Sequence, residues 1–435
     1  MVSSGATSTN GGGNPIGKLL GMGFWVQGFR CFPWLIVNFF LKDGLNVDPS
    51  TLQVLQSSAN LPMVGKPIYG LISDAVYISG QHRVPYIALG AFLQAVSWLA
   101  IAISPPSMKI LTFSLFLLLG NLGASIAEVA NDAIVAEMSK RPQSSTKSSG
   151  SLQSFVWIAS SLGGVLGNLL GGIAIGRIDS KSLFMFFGFL LALQFFLTIS
   201  VRESSLGLPK SPSVGIKKQL SELSVALRKP KIAFSISWFA ASYAIIPALT
   251  GTMFFYQTEY LKIHSSVLGI SKVFGQVAML LWGIIYNKHL KSIPPRKIIS
   301  AIQVTMAIFM FSDFLFVRGF YRQLGVPDSL YVIIFSGLLE VLFFFKILPF
   351  MILVAQLCPP GCEGSVMAFL MSAVALSLIV SGYLGVALAS FIKVTASDFS
   401  RLPLGLLIQA ACTLLPVYWS SCIPDYVKSE GKKKD

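Results

Sequence analysis

Apolar residues run along this chain in long blocks separated by short polar and basic stretches. Blocks of spanning length fall at about 20–41, 51–72, 85–104, 110–133, 150–176 and 182–200, and again at 232–256, 265–286, 298–317, 330–354, 364–392 and 403–423. A helix of about 20 apolar residues crosses the hydrocarbon core of a bilayer. The pattern therefore predicts an all-α membrane protein of twelve transmembrane helices, spans one to twelve, in two six-helix halves. The predicted segments are a tail at 1–19, a first half at 20–200, a basic central loop at 201–231, a second half at 232–423 and a basic tail at 424–435. The first tail, built of Ser, Thr, Gly and Asn with one Lys, has neither the basic and apolar regions of a signal peptide nor the arginines of a transit peptide, and reads as flexible.

Composition agrees: 54% of the 435 residues are hydrophobic and only 12% charged, about half the charge of a soluble protein. The net charge of +15 sits in the connections. Loops on the side of both termini hold 20 of the 33 Lys and Arg residues, and the opposite loops hold 9. The positive-inside rule then places both termini and the central loop in the cytosol or its topological equivalent, and the basic residues read as orientation signals and lipid contacts rather than a nucleic-acid surface. In the central loop, Leu220, Leu223 and Leu227 share one helical face among basic neighbours, which fits an amphipathic helix on the inner leaflet or a solvated linker equally well.

Two short patterns recur at nearly one offset. Gly70 and Asp74 close span two with Arg83 thirteen residues after the glycine; Gly283 and Asn287 close span eight with Arg296 at the same distance. Gly150-Ser151 with Phe155 opens span five, and Gly364-Ser365 with Phe369 opens span eleven. Parallel six-span repeats are the plan of major facilitator transporters, whose substrate site lies at the midplane between the halves.

Charged residues inside the spans point to a transport path. Arg30 stands in the middle of span one, at a cost of about 3 kcal/mol even on lenient insertion scales, so it must face a wet cavity or a counter-charge. In span four, Asn121, Ser125, Glu128 and Asp132 follow at spacings of three and four, which makes one polar stripe. Two acids on one membrane helix repel if both are ionised, so one of them should hold a proton, as a proton-coupling site requires; the plainer alternative is pairing with Arg30 or Lys66. The second half offers Lys272, Asp313, Glu340 and Lys346. We expect Arg30, Lys66, Glu128, Glu340 and Lys346 to bind substrate and Glu128 or Asp132 to carry a proton.

At the end of span two, Gly70-x-x-x-Asp74 followed by Gly80-x-x-Arg83 resembles the loop motif between spans two and three of the major facilitator superfamily, with a longer gap than usual between Asp74 and Gly80. Its expected role for Asp74 and Arg83 is a latch, a carboxylate capping a helix or pairing with a base, with Glu137 as a further latch or interfacial residue. Gly163-x-x-x-Gly167-x-x-x-Gly171 in span five, with Gly164 and Gly172 beside it, is a small-residue face for close packing or for sliding between halves. Of the five cysteines, Cys358 and Cys362 share a short loop without a His or a second pair nearby, so free thiols are expected and no metal or cofactor. No nucleophile motif or phosphate loop is present, and the three histidines lie in loops, which argues against an enzyme.

Gln27-Gly28-x-Arg30, Lys66-Pro67-x-Tyr69-Gly70-x-x-x-Asp74 and Glu128-Val-Ala-x-Asp132-Ala-x-Val-Ala-Glu137 together resemble the folate–biopterin transporter family. The resemblance implies a carrier of major facilitator type for folates or pterins, with Arg30, Lys66, Asp74, Glu128 and Asp132 at family positions. Folates combine a flat ring with an anionic tail, so Arg30, Lys66 and Lys346 would hold carboxylates, and Phe24, Trp25, Trp34, Phe343, Phe344 and Phe345 would offer rings for stacking, where they do not simply face lipid. The expected partners are an organic-anion substrate and lipid, with the protein a monomer in the plasma membrane or an organelle envelope, plastid by the resemblance. A carrier for another organic anion, or a receptor of transporter shape without flux, stays open.

Overall fold

The computed structural model describes residues 15–105, 108–139, 146–206, 216–290, 292–358 and 363–424. Most of both predicted tails and the Cys358–Cys362 loop beyond Cys358 lie outside the described residues. Among those described there is no β-strand. Nine helices among the described residues are long and apolar enough to cross a membrane. Span twelve is the 17-residue helix Leu402–Tyr418, and spans two and seven are broken helices, which completes twelve.

The breaks follow from proline. Span one is Pro15–Phe29, then Cys31–Phe39, then a wider turn at Phe40–Gly44. Pro33 has no N–H to give to the carbonyl four residues back and crowds it, so the helix parts at Arg30. Span two starts on Asp48, whose carboxylate accepts from the Ser50 and Thr51 N–H groups at 2.9 and 3.0 Å, with Pro49 in the first turn. It then runs as Pro49–Ala59, Leu61–Val64 and Lys66–Ala75, with Pro62 and Pro67 opening the second and third pieces. Span ten parts at Lys346, between Gly337–Phe345 and Ile347–Leu357, three residues before Pro349. The carbonyl that Pro349 releases, on Phe345, accepts from Trp282 Nε1 at 3.1 Å.

Span five carries two glycine faces. A Cβ on Gly163 or Gly167 would run into Trp25, Phe29 and Cys31 of span one, and Gly28 of span one lies as tightly on Ser160. One residue round, Gly172 meets Gly269 of span eight, a Cβ there reaching the Gly269 Cα at 2.9 Å, and Gly164 faces Gln276. The first face is packing within the first half, the second is contact between halves; the sequence pattern left both uses open. The central helix forms at Ile216–Leu227. Ala226 is buried, and Leu223 and Leu227 pack with it against Ile232, Phe239 and Val366 of the second half, while Leu220 is exposed. The Leu223–Leu227 part of the amphipathic face thus docks on the bundle.

Candidate functional site

The break in span one turns Arg30 toward the stripe on span four. Its guanidinium makes an ion pair with Glu128, and its Nη2 donates to Asn121 Oδ1 at 2.7 Å. Lys66, at the break in span two, donates to the other Glu128 oxygen at 2.7 Å. Asn121 also donates to the Ala59 carbonyl at 2.6 Å, and Ser125 donates to the Asn121 carbonyl at 2.8 Å. One carboxylate therefore serves two cations drawn from two broken helices. Burial falls along the stripe: Asn121 is 2% exposed, Glu128 7%, and Asp132 lies in the open. Gln27, Gln94, Asn131 and Gln194 line the other side of the pair.

A cavity of about 270 Å³ lies between the halves, walled by spans one, two, five, eight and ten. Cys31, Trp34, Asn38 and Gln56 face it from the first half, Lys272, Gln276, Glu340 and Phe344 from the second. Gly275 and Gly337 let spans eight and ten approach closely; a Cβ on Gly275 would meet the Gly337 carbonyl at 2.8 Å. That approach sets Lys272 Nζ 2.6 Å from Glu340 Oε1 in an ion pair open to the cavity.

Lys346 is elsewhere. It is fully buried in the core of the second half and donates to Gln303 Oε1 at 2.8 Å and Ser242 Oγ at 3.0 Å. Its ammonium sits 3.8 Å from the centre of the Tyr243 ring, a cation–π contact. No acid pairs with it among the described residues. Asp313, also buried, accepts from Tyr331 Oη at 3.0 Å.

At the end of the bundle where span one begins and span two ends, Arg83 pairs with Asp74 at 2.5 Å and Glu137 at 2.6 Å and donates to Ser73 Oγ at 2.7 Å. Glu203, just past span six, accepts from the backbone N–H groups of His82, Arg83 and Val84, at 2.8 to 3.2 Å, and so caps span three. His82 Nδ1 lies 2.6 Å from Glu203 Oε1. Hydrogen bonds to Glu137 and Glu203 push His82 up to about 9 despite its burial. Burial alone would raise Glu203, but His82 and the three N–H groups bring it down to about 2.

At the opposite end the halves are bolted together. Gln53 of span two is 2% exposed; its Nε2 donates to the Ala248 and Gly382 carbonyls at 2.6 Å each, and its Oε1 accepts from Gly251 N–H at 2.8 Å. Lys42 forms an ion pair with Glu259 of span seven. Ser265 Oγ donates to the Gly172 carbonyl at 3.0 Å.

The architecture has close counterparts. A D-xylose–proton symporter superposes with a TM-score of 0.68 at 15% identity, over 94% of this chain and 98% of its own, and the nucleoside transporter NupG with 0.69 at 14%, over 94% and 99%. The fold is that of the major facilitator transporters. The sequence pattern of the BT1 family matches residues 27–435. This chain belongs to the BT1 family. Among its relatives in Arabidopsis thaliana are the probable folate-biopterin transporter 7, 62% identical over 97% of this chain and 96% of that one, and the probable folate-biopterin transporter 8, chloroplastic, 43% identical over 97% and 79%. These relatives are transporters, and the BT1 chain is a multi-pass membrane protein rather than an enzyme.

Of the residues singled out in the BT1 sequence, the structure brings Arg30, Lys66 and Glu128 into one cluster, with Asp132 on the same stripe, and Asp74, Arg83 and Glu137 into another. Glu340 reaches the inter-half cavity, but its partner is Lys272. Lys346 reaches neither, because the break before Pro349 and its own burial turn it into the second half. Gln53, His82 and Glu203 went unmarked: a lone amide in an apolar span and an acid just past one carry no periodic signal.

Proposed function

We propose that this protein moves folates or related pterins across a membrane by alternating access, with the cavity between its halves as the transit site. The observation that carries the reading is that cavity: a mid-span chamber with aromatic walls and a charged pair, in a chain whose relatives bear the name folate-biopterin transporter. A flat, polar ring with hydrogen-bonding edges suits such a chamber. Arg30 and Lys66 attract the substrate carboxylate at the inner mouth, where Arg30 exchanges Glu128 for the ligand. Asp132, open on the same stripe, takes and releases the coupled proton with Glu128. The Asp74–Arg83 pair holds the terminal end of the first half as a latch. The termini and segment 201–231 face the cytosol or its equivalent, and the membrane is the plasma membrane or an organelle envelope.

Uptake of labelled folate and biopterin into proteoliposomes of the full chain tests the reading. Saturable uptake of either, faster when the outside is made acid, is expected. Absence of uptake of both, with the protein shown to be inserted, overturns transport of this class; uptake indifferent to the pH gradient removes the proton role.

A further inference from the structure

The Lys272–Glu340 pair is the feature left over once the Arg30 cluster is accounted for. It joins two groups that are far from equally covered: the Glu340 side chain is 53% exposed and that of Lys272 29% exposed. An ion pair opened this far to a cavity contributes little to folding. Only one carboxylate oxygen, Oε1, takes the ammonium. Phe344, one turn beyond Glu340, and Trp34 across the gap line the same chamber. A second acceptor stands opposite. Asn168 is 2% exposed, and its Nδ2 donates to the Gly164 carbonyl at 3.0 Å. That bond fixes the amide so that Oδ1 is the free end, and Oδ1 has no hydrogen-bond partner among the described residues although it is buried on the cavity wall. A buried acceptor without a donor costs about 1–3 kcal/mol, which a ligand N–H or O–H would offset.

We propose that Glu340 reads the 2-amino-4-oxo edge of a pterin ring, with Lys272 as the internal cation that occupies the carboxylate when the site is empty. This rests on the transport reading above and adds which atoms of the substrate are recognised. The ring edge presents two adjacent N–H donors, from the 2-amino group and N3, in the same fork that makes guanidinium bind carboxylates through two parallel bonds. The carboxylate of Glu340 accepts both, the ring lies between Trp34 and Phe344, and Asn168 Oδ1 takes a further donor of the ligand. Lys272, displaced from Oε1, swings into the open cavity and makes no bond to the ring. One ion pair is exchanged for another set of bonds of similar strength, so the substrate is held by its edge yet can leave, as a carrier requires.

The test compares biopterin with biolumazine, which keeps the C6 side chain and has an oxygen in place of the 2-amino group, and so turns a donor into an acceptor. Competition for labelled folate uptake is measured in proteoliposomes of the full chain, for wild type, Glu340→Gln and Lys272→Gln. Wild type should prefer biopterin by about tenfold or more, because a site built around a hydrogen bond rejects the analogue that lacks it. Glu340→Gln should bring the ratio to within about threefold by weakening biopterin. Lys272→Gln should keep the preference and bind biopterin more tightly, since no cation has to be displaced. Opposite signs for the two variants are what a merely structural pair cannot produce; equal losses in both overturn the proposal. So does an unchanged ratio in Glu340→Gln. If wild type carries folate but ignores the difference between the two rings, the edge reading falls and the transport reading stands. If wild type carries neither folate nor biopterin, both fall.

Discussion

Arg30 and Lys346 are the same problem solved in two ways. Each is a cation inside the bilayer, each stands at a break in its helix, and each precedes a proline by three residues. Arg30 is met by the Glu128 carboxylate, which a second cation shares. Lys346 is met by an amide oxygen, a hydroxyl and the face of a tyrosine, with no acid paired to it among the described residues. Arginine cannot shed its proton to escape desolvation, whereas lysine can. An arginine in a span therefore demands an acid, and that acid can be exchanged for a substrate carboxylate. A lysine caged by neutral groups demands nothing that moves. The Arg30 site is a charge arrangement able to turn over, the Lys346 site a fixed one.

The largest effect should come from removing the shared acid. Glu128→Ala leaves Arg30 and Lys66 both uncompensated, and the stability loss should reach about 3–5 kcal/mol, as for breaking a buried pair. Lys346→Met keeps the volume and removes a cation that has no acid among the described residues; the Gln303 oxygen left without its donor costs about 1–3 kcal/mol, offset by the lifted desolvation of the ammonium, so the net loss should stay well below that of Glu128→Ala. Thermal unfolding of both variants in detergent measures this; equal losses would break the comparison. Next, Arg30→Lys keeps the charge but gives up the bond to Asn121. We expect uptake to fall by about tenfold with the melting temperature little changed, and uptake at the wild-type rate would make Arg30 a plain counter-ion.

The contrast sharpens at Gln53, a neutral group holding three backbone atoms across the halves. Gln53→Leu strands those atoms at about 1–3 kcal/mol each, and the bolted end should open. Labelling of the cavity residue Cys31 by an impermeant thiol reagent applied from that end, read by mass spectrometry, should speed up several-fold; an unchanged rate would mean that Lys42 and Glu259 close the end without it. The smallest effect concerns pH. His82, raised to about 9, stabilises the fold fully below its ordinary value near 6.5, and this is lost as pH rises through 9. Glu203, lowered to about 2, stabilises above its ordinary value near 4.5, and this is lost as pH falls through 2. The melting temperature should therefore decline between pH 7 and pH 10, and His82→Gln should flatten that decline. An equally steep decline in the variant would place the titrating group elsewhere.

Much of this was legible in the chain. Twelve apolar blocks become twelve spans because hydrocarbon admits only backbone that satisfies itself. The spacing of three and four on span four placed Asn121, Ser125 and Glu128 on the face that Arg30 meets. Glu340 and Lys346 stand six residues apart, about 240° round a helix, so one reaches the cavity and the other the core of the second half, while Phe344, four residues from Glu340, shares its face. The prolines three residues after Arg30 and Lys346 are visible in the sequence and mark where each cation leaves the regular helix. Nothing in the sequence pairs Lys272 with Glu340, because Gly275 and Gly337 set that approach from two distant spans.

Span five has a consequence for how the molecule is made. Five glycines between 163 and 172 each weaken a helix by about 1 kcal/mol relative to alanine, and atoms of span one sit where the side chains of Gly163, Gly167 and Gly171 would be. Such a segment gains its order from neighbours. During synthesis span one is already in place when span five leaves the ribosome, and span eight is not. The clasp on Gly163 and Gly167 can therefore set before the face at Gly164 and Gly172 has anything to touch. The surface on which the two halves later meet is moulded by the first half alone, and the second half is fitted to a finished template.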